Sequence, residues 1–575
     1  MNRQIHHPCH INVLPVEILS YIFTLATHST SSTIPEFKQR YEIPVSPESV
    51  TMPTVLASVH RHWRHIALST STLWSSLVMS LEQVVRRLAA HIARSRNSPV
   101  DILIDTRDPE WNFEDDGEEC STQNPTSFPY TTFIPQILDL LFPQMYRWRS
   151  LTILSDTWAP LRVALERLSV PTLTMGSGAP RLETLMLMRC NEFLGYLDTF
   201  SPRTHLAFDG IPFAALMGAP HHDLATQSHP LPKLRNITLV GVHLNWTHFS
   251  CYTLGAALNP SLSRVFNGIQ SLELSQHCRE VRPTFEEFSG ILKACPHLRK
   301  LVIRVSGPRF DEGVQCSDHP VSLPQLEELH LGYTSVEDAA MLLSHIHAPN
   351  LVALSIEDAN HIASADDEDS DPLLTYCATG LLDLCDISTE FGLNHGPHSN
   401  SAASKDSVVS TVKPPFPQLE RLSLNSVTAC MIPFSLFMAA VPKLRHLSIC
   451  RTPNALAVLL PIQTPFTEAC TRTSPCSALE SIEVFCAEEQ TKHVLDFVLR
   501  ERELCGAPRV RNVEIHFEVC SADVGEDIGE YQMVEDDTVG NQTRYREWAS
   551  DEDDPFAPGG VFNDPDFDEA YYYLS

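Results

Sequence analysis

The chain has 575 residues, 43% of them hydrophobic, and a formal net charge of −30 at pH 7. That length allows roughly three to four domains, and the apolar content is sufficient for most of the chain to fold around a sizeable core. The strong negative charge argues against a surface that binds phosphates or anionic lipids, because such a surface needs concentrated Lys and Arg. We therefore expect neither nucleic acid nor a membrane as a partner.

The first residues, MNRQIHHPCHINVLP, lack the apolar run of a secretory signal, and no run of membrane-spanning length follows. The 16 cysteines include no C-x-x-C pair, which disfavours a compact zinc module. We expect them to be reduced, mostly buried thiols of an intracellular protein, in the cytoplasm, the nucleus or both. No metal and no cofactor is expected.

The stretch NVLPVEILSYIF, residues 12–23, predicts an amphipathic helix. Pro15 suits the first helical turn, where its missing N–H costs nothing, and Glu17 suits the positive end of the helix dipole. A wide apolar stripe runs along this helix and must be buried against something, and it comprises Leu14, Ile18, Leu19, Ile22 and Phe23.

Residues 27–53 are rich in Ser, Thr and Pro and predict an inserted loop. A second helix is predicted to begin at Pro53 and Thr54. One face of it carries Leu56, Val59, Trp63, Ile66 and Ala67, and a short helical turn with Leu73 and Trp74 follows.

The segments INVLPVEILSYIF and ASVHRHWRHIALSTSTLW resemble the F-box domain, especially its fungal form. That pattern is an LPxEIL helix, a variable insertion, a V-x-R-x-W-R-x-I-A helix and a Leu–Trp turn. It covers residues 1–80, with a long insertion at 27–53 and His60 where many members carry cysteine. The resemblance implies a surface for the Skp-type adaptor of a cullin–RING ubiquitin ligase, formed by Leu14, Pro15, Ile18, Leu19, Ile22, Phe23, Leu56, Val59, Trp63, Ile66 and Trp74.

Residues 81–145 are predicted to form a helical linker with an acidic loop, which contains EDDGEE at 114–119. Its first part, LEQVVRRLAAHIARSR, has helical periodicity, and VDILID alternates as a short strand does. The stretch FIPQILDLLFPQMYRWRSLTIL predicts a helix that runs into a strand.

Between residues 146 and 520 the pattern P-x-L-x-x-L-x-L recurs in ten copies, which begin at residues 180, 232, 268, 296, 324, 349, 417, 442, 477 and 508. A degenerate copy, GLLDLCDI, is predicted at 380. The last two apolar positions are two residues apart and so share one face of a short strand. The first apolar position fills the turn, and the proline is predicted at the first residue of the strand.

Amphipathic helices lie between the copies, as in TFEEFSGILKAC, where Thr284 and Glu287 have the spacing of a capping box. No single unit can bury its apolar face alone, so the units are expected to stack into an α/β solenoid with a parallel sheet on the concave side and helices outside. The repeat resembles leucine-rich repeats of the irregular, long-period type. A doubly wound sheet would need a glycine-rich phosphate turn, and the sequence has none.

Residues 521–575 predict an acidic disordered tail, because 16 acids and two bases lie between Asp523 and Ser575. No catalytic motif is present, so we expect a protein that is not an enzyme. In each repeat the residues beside the strand leucines point away from the core. They define a small, polar, slightly acidic strip that fits a protein segment, composed of Met186, Thr238, Glu273, Val302, Arg304, His330, Ser355, Glu357, Ser423, Asn425, Ser448, Glu483, Phe485 and Glu514.

The resemblance and the repeats together suggest the substrate receptor of an SCF-type ubiquitin ligase. In this reading the F-box binds the adaptor, the repeats hold a protein substrate, and other subunits catalyse ubiquitin transfer. The alternative is a leucine-rich-repeat scaffold or protein-binding module outside any ligase, whose N-terminal helices only cap the solenoid.

Overall fold

The computed structural model describes residues 10–28, 32–33, 42–43, 47–79, 85–107, 130–170, 178–191, 195–200, 212–217, 231–249, 267–310, 320–360, 369–382, 413–452, 454–463, 472–487 and 489–517. The chain divides into two compact units, residues 1–102 with 519–575 and residues 103–518. The predicted acidic loop at 114–119 and the predicted acidic tail lie outside the described residues.

The first unit is mostly helical. Its elements are α1 (Val16–His28), α2 (Pro47–Val59), α3 (Arg61–Ser69), a 3-10 turn (Ser71–Trp74), β1 (Ser76–Met79), α4 (Val85–Ser95) and the start of β2 (Val100–Asp105), with a two-residue antiparallel pair at Ser32–Thr33 and Glu42–Ile43. Helices α1 to α3 and the 3-10 turn bury a common hydrophobic core. It comprises Leu19, Phe23, Leu56, Ala57, Ile66, Ala67, Leu73 and Trp74.

The prediction of a loop through residue 53 is wrong at its C-terminal end, because α2 already begins at Pro47. Pro53 lies inside this helix and is buried. A proline there removes one helical hydrogen bond. Burial of Val50, Leu56 and Ala57 on the same helix provides the apolar packing that stabilises it despite this loss.

The second predicted helix is in fact two helices. The chain breaks at His60, whose backbone is extended and whose Nδ1 accepts a hydrogen bond from the N–H of His62 at 3.1 Å. Leu56 and Val59 therefore belong to α2, whereas Trp63 and Ile66 belong to α3. A single continuous face through all four residues does not exist.

The second unit alternates strands with helices. Its helices are α5 (Tyr130–Leu141), α6 (Trp158–Leu168), α7 (Ala214–Met217), α8 (Phe285–Lys293), α9 (Val336–Ser344), α10 (Asp371–Thr379), α11 (Met431–Ala440) and α12 (Glu489–Leu504). Its main strands are β3 (Trp148–Ser155), β4 (Thr184–Arg189), β5 (Asn236–Val240), β6 (Ser271–Ser275), β7 (Lys300–Arg304), β8 (Glu328–Tyr333), β9 (Ala353–Asp358), β10 (Arg421–Asn425), β11 (His446–Cys450), β12 (Ser481–Ala487) and β13 (Asn512–Phe517). The capping box at α8 is present, with Thr284 and Glu287 bonded reciprocally.

From β3 to β13 the strands lie in chain order, and each pairs in parallel with the next. All ten predicted repeat strands are present, and the strand leucines of neighbouring copies are direct register partners. One such row is Leu185, Ile237, Leu272, Leu301, Leu329, Leu354, Leu422, Leu447, Ile482 and Val513. The second unit is thus an α/β repeat built on one parallel sheet.

The repeat proline does not lie at the first residue of a strand, as predicted, but four residues earlier. In the copy at 296, the N–H of Leu298 donates to the carbonyl of Cys295 at 3.1 Å, which closes a turn with Pro296 at its second position. Proline is favoured there because its fixed φ matches the turn. The leucine that closes the turn is buried, so the first apolar position of the repeat does fill the turn.

The degenerate copy predicted at 380 adds no strand to this sheet, because β9 pairs directly with β10. Gly380 instead ends α10, with a left-handed φ of 77° and its N–H bonded to the carbonyl of Tyr376. This is a common helix stop. The residues from 383 onward in that copy lie outside the described part of the chain.

Two residues after the second leucine position of a strand, the backbone often adopts a left-handed conformation. This occurs at Gly241, Gln276, Val305, Ser426, Arg451 and Cys486. Its N–H extends the ladder, as where the N–H of Gly241 donates to the carbonyl of Ser275 at 2.8 Å. Residues other than glycine lose free energy in this conformation. Because the conformation recurs at such residues, we infer that the geometry of the sheet imposes this backbone corner at the strand ends.

We expect Gly241→Ala to destabilise the second unit more than Gly506→Ala does. Both glycines have left-handed φ values, 61° and 85°, so both alanines carry a conformational cost of about 1–2 kcal/mol. At Gly241 the new Cβ would also lie 3.0 Å from Cβ of Arg189, whereas at Gly506 nothing lies within 4 Å. Urea unfolding of the two variants measures the difference, and equal losses would show that the close contact does not matter.

Candidate functional site

The structure divides the predicted adaptor residues into a buried set and an exposed set. Leu19, Phe23, Leu56, Ile66 and Trp74 lie in the core, and Leu14 and Trp63 pack partly buried against it. Pro15, Ile18, Ile22 and Val59 are exposed. The core residues therefore hold the helices together, and the residues of the second set are the most accessible to another protein.

Further exposed apolar residues lie on or next to α1 and α2 and were not predicted as a site. They are Val13, Val16, Tyr21, Leu25 and Val55. Along α1, Ile18, Ile22 and Leu25 follow helical spacing on one side, and α2 leaves Val55 and Val59 exposed one turn apart. We call these residues of α1 and α2, together with Val13 and Pro15, the N-terminal apolar surface.

The helices beneath this surface are held by specific polar contacts as well as by packing. Trp74 is fully buried, and its Nε1 donates to the carbonyl of Ala67 at 2.9 Å. Its ring meets His91 edge-on, with centroids 5.0 Å apart, and the guanidinium of Arg94 lies 4.3 Å from the ring centroid. Burial is the main cause that lowers the pKa of His91 to about 3, so this ring is neutral at pH 7.

In the second unit the predicted strip forms two register-aligned rows. The first row joins Met186, Thr238, Glu273, Val302, His330, Ser355, Ser423, Ser448, Glu483 and Glu514 across neighbouring strands. The second row joins Arg304, Glu357, Asn425 and Phe485, with Gly332 and Cys450 between them.

Burial limits which part of the strip can bind. Met186 is 6% exposed and Thr238 is 9% exposed, so both are covered although they lie on the face predicted to be open. From Glu273 onward the first row is half-buried or exposed. The accessible strip therefore runs from β6 to β13.

Within the second row an ion pair crosses one strand. Nε and Nη2 of Arg304 donate to the Glu357 carboxylate at 2.8 and 3.2 Å, and Nδ2 of Asn425 donates to the same carboxylate at 3.2 Å. The strand between them carries Gly332, where a Cβ would lie 2.6 Å from Cγ of Arg304. Gly332 therefore provides the space in which Arg304 reaches Glu357.

We expect Gly332→Ala to cost about 1–3 kcal/mol of stability, because the added methyl group displaces Arg304 from its partner. In an Arg304→Ala background the same change should cost less, since Cγ of the arginine is then gone. Urea unfolding of the two single variants and the double variant gives this coupling. Strictly additive losses would mean that Gly332 and Arg304 act independently.

At the C-terminal end of the strip, aromatic and acidic groups come together. Phe485 is 37% exposed, and its ring stacks on His516 with centroids 4.6 Å apart. Glu483 and Glu514 are register partners on the same two strands. This end offers a flat ring surface beside two carboxylates.

A buried histidine lies near the ends of β6 and β7. Nε2 of His277 is 3.1 Å from the Val242 carbonyl, and its Nδ1 is 2.9 Å from the Ser306 hydroxyl. A carbonyl only accepts, so Nε2 carries the hydrogen and Nδ1 accepts from Ser306. Burial first, and then the charge of Arg282, lowers the pKa of His277 to about 3.

We expect the second unit to lose stability as the pH falls from 7.5 to 5.5. His277 has a pKa of about 3 when folded and about 6.5 when unfolded, so the unfolded chain binds the extra proton. The contribution of the neutral His277 ring to the free energy of unfolding is fully present above pH 6.5. It falls as the pH drops toward the pKa of the folded state, by at most about 1.4 kcal/mol per pH unit. Urea midpoints across this range should fall less steeply for His277→Asn, and an unchanged slope would contradict this role.

Potential metal ligands come together once in the described part of the chain, at Asp369, Asp371 and Cys430. Asp369 and Cys430 are exposed, and a carboxylate oxygen of Asp371 accepts from the backbone N–H of Cys430 at 2.7 Å. That contact binds a carboxylate oxygen of Asp371 to the residue that directly precedes α11, so Asp371 has a structural role there. Among the described helices, none combines the length and the apolar character needed to span a bilayer.

No protein-family model matches the chain, and no curated protein matches it. Several solved structures do align with it. A protein of Bacteroides fragilis is 14% identical, covers 49% of this chain and 66% of its own, and has a TM-score of 0.26. The leucine-rich-repeat-containing protein LegL7 of Legionella pneumophila is 10% identical, covers 64% of this chain and 83% of its own, and has a TM-score of 0.27.

The complex of TLR13 with ssRNA13 is 14% identical, covers 77% of this chain and 62% of the solved chain, and has a TM-score of 0.23. This chain thus spans less than two thirds of the length of the first and the third structure. Because all three TM-scores are low, the description of the fold rests on the strand register given above. A leucine-rich-repeat protein is among the structures that the chain resembles.

Proposed function

We propose that the chain is the substrate receptor of an SCF-type cullin–RING ubiquitin ligase. In this proposal the N-terminal apolar surface binds a Skp-type adaptor and the accessible strip binds a protein substrate. The chain itself catalyses nothing. It raises the effective concentration of the substrate beside the ubiquitin-transferring subunits.

The observation that carries the proposal is the N-terminal apolar surface. Ile18 is 47% exposed and Ile22 is 37% exposed, and Tyr21 and Leu25 lie beside them on α1. Large apolar side chains that cluster on a surface mark sites where another protein docks. The F-box resemblance of residues 11–23 and 57–74 suggests the kind of partner.

The buried set supports the same proposal in a different way. Leu19, Phe23 and Trp74 are almost completely buried within the helical core. Helices that bury their own core can present an apolar surface to a partner without unfolding.

The accessible strip supports the choice of a protein as the second partner. Serines occupy the middle of its first row, at Ser355, Ser423 and Ser448, and they offer hydrogen bonds without bulk. Phe485 adds an exposed ring, the kind of side chain that is enriched in protein interfaces. Basic residues do not dominate the strip, in contrast to a surface for nucleic acid.

We expect the full chain to co-purify with a co-expressed Skp-type adaptor in equal amounts, and Ile18→Asp with Ile22→Asp to abolish that complex. Two buried charges in the interface should weaken binding at least about a hundredfold. The variant should keep the thermal midpoint of the free chain, because both side chains are exposed there. Co-purification and thermal unfolding measure the two effects separately.

A matched control is Leu436→Asp on α11, where the leucine is 38% exposed, and this variant should keep the adaptor. Leu19→Ala serves as the opposite control, since this fully buried residue should cost about 2–5 kcal/mol of stability. A well-folded chain that ignores the adaptor would overturn the ligase proposal. It would favour the alternative of a repeat protein that binds its partner outside such a complex.

A further inference from the structure

Two cysteines face each other at the C-terminal end of the strip. Sγ of Cys450, on β11, lies 3.8 Å from Sγ of Cys486, on β12, and both side chains are half-exposed. Cys450 is the register partner of Phe485, so the two thiols lie beside the exposed ring. By contrast, Cys190, Cys278, Cys295, Cys377 and Cys476 are buried.

Local geometry brings these two thiols together. Cys486 is the left-handed corner residue of β12, with a φ of 51°. The register with β13 shifts at the same place, between Val484 and Ala487. A bulge of this kind re-aims a side chain, and here the thiol of Cys486 meets the last outward residue of β11.

We propose that Cys450 and Cys486 form a site of reversible covalent modification, at which a low-molecular-weight disulfide converts the two thiols into one disulfide bond. The sulfur atoms need to approach by less than 2 Å to reach the bond length of about 2.05 Å. The bond would fasten β11 to β12 beside Phe485. This inference stands independently of the proposed ligase role.

With oxidised glutathione the reaction has two exchange steps. One cysteine thiolate attacks the glutathione disulfide, forms a mixed disulfide and releases one glutathione thiolate. The second cysteine thiolate then attacks the sulfur of the first cysteine and releases the second glutathione. Two protein thiols are oxidised, one glutathione disulfide is reduced to two thiols, and the cysteine protons go to solvent or to the released thiolates.

The reaction should be slow at neutral pH and accelerate as the pH rises. Burial, followed by the hydrogen bond and the charge interaction with Cys486, raises the pKa of Cys450 to about 11. Only the thiolate attacks a disulfide, so the reactive fraction grows with pH below that value.

To test the proposal, the full-length chain is incubated with oxidised glutathione at pH 8, quenched with acid, alkylated and digested with trypsin. Mass spectrometry should find the peptide 446–451 linked to the peptide 473–492, with the loss of two hydrogens. Fragmentation must assign the bond to Cys486 rather than to Cys476 on the same peptide. Dithiothreitol should restore both thiols.

Two variants and one internal comparison make the result decisive. In Cys450→Ser, the linked peptides should disappear and Cys486 should carry glutathione, and Cys486→Ser should give the converse. Cys505, which is also half-exposed, should carry at most glutathione in every sample. Separate glutathione adducts on Cys450 and Cys486 in the unaltered chain, or no reaction at either, would overturn the proposal.

Discussion

Register between parallel strands is the constraint on which the second unit depends. Because side chains alternate with a period of two, a slip of one residue would move the whole leucine row from the core to the opposite face. The same register that aligns Leu301 with Leu329 also aligns Val302 with His330. Core packing therefore determines which residues become neighbours on the strip, although it does not select their chemistry.

The first unit is organised differently, since a few short helices must supply both a core and a surface. Leu19 and Phe23 on α1 face inward, whereas Ile18 and Ile22 on the same helix face outward. Both pairs repeat every four residues, so the helix is apolar around much of its circumference. A helix of this kind presents apolar side chains on two sides, and the described core covers one of them.

Much of this organisation could be predicted from the sequence, because it depends on periodicity. The ten repeat strands and the outward positions follow from the spacing of two between the strand leucines. Periodicity could not separate Leu19 from Ile18, since both are apolar residues of one stripe. Nor could it show that Met186 and Thr238 are covered, because burial of an outward residue depends on segments distant in sequence. The start of α2 at Pro47 and the break at His60 do not follow from local composition, because packing and a side-chain cap determine these helix ends.

The net charge of the whole chain does not describe how charge is distributed along the strip. Glu357 is matched by Arg304, and just outside the strip Glu328 is matched by Arg421 at 2.9 Å, so these carboxylates add little net charge to the centre of the strip. Glu483 and Glu514 come later, beside the stacked rings of Phe485 and His516. A partner that touches the whole strip would thus meet Glu273 at the first end, hydrogen-bonding groups in the middle, and two carboxylates with an aromatic ring at the last end. That end also carries Cys450 and Cys486, so a bond between those thiols would change the chemistry at the position where the strip is most distinctive.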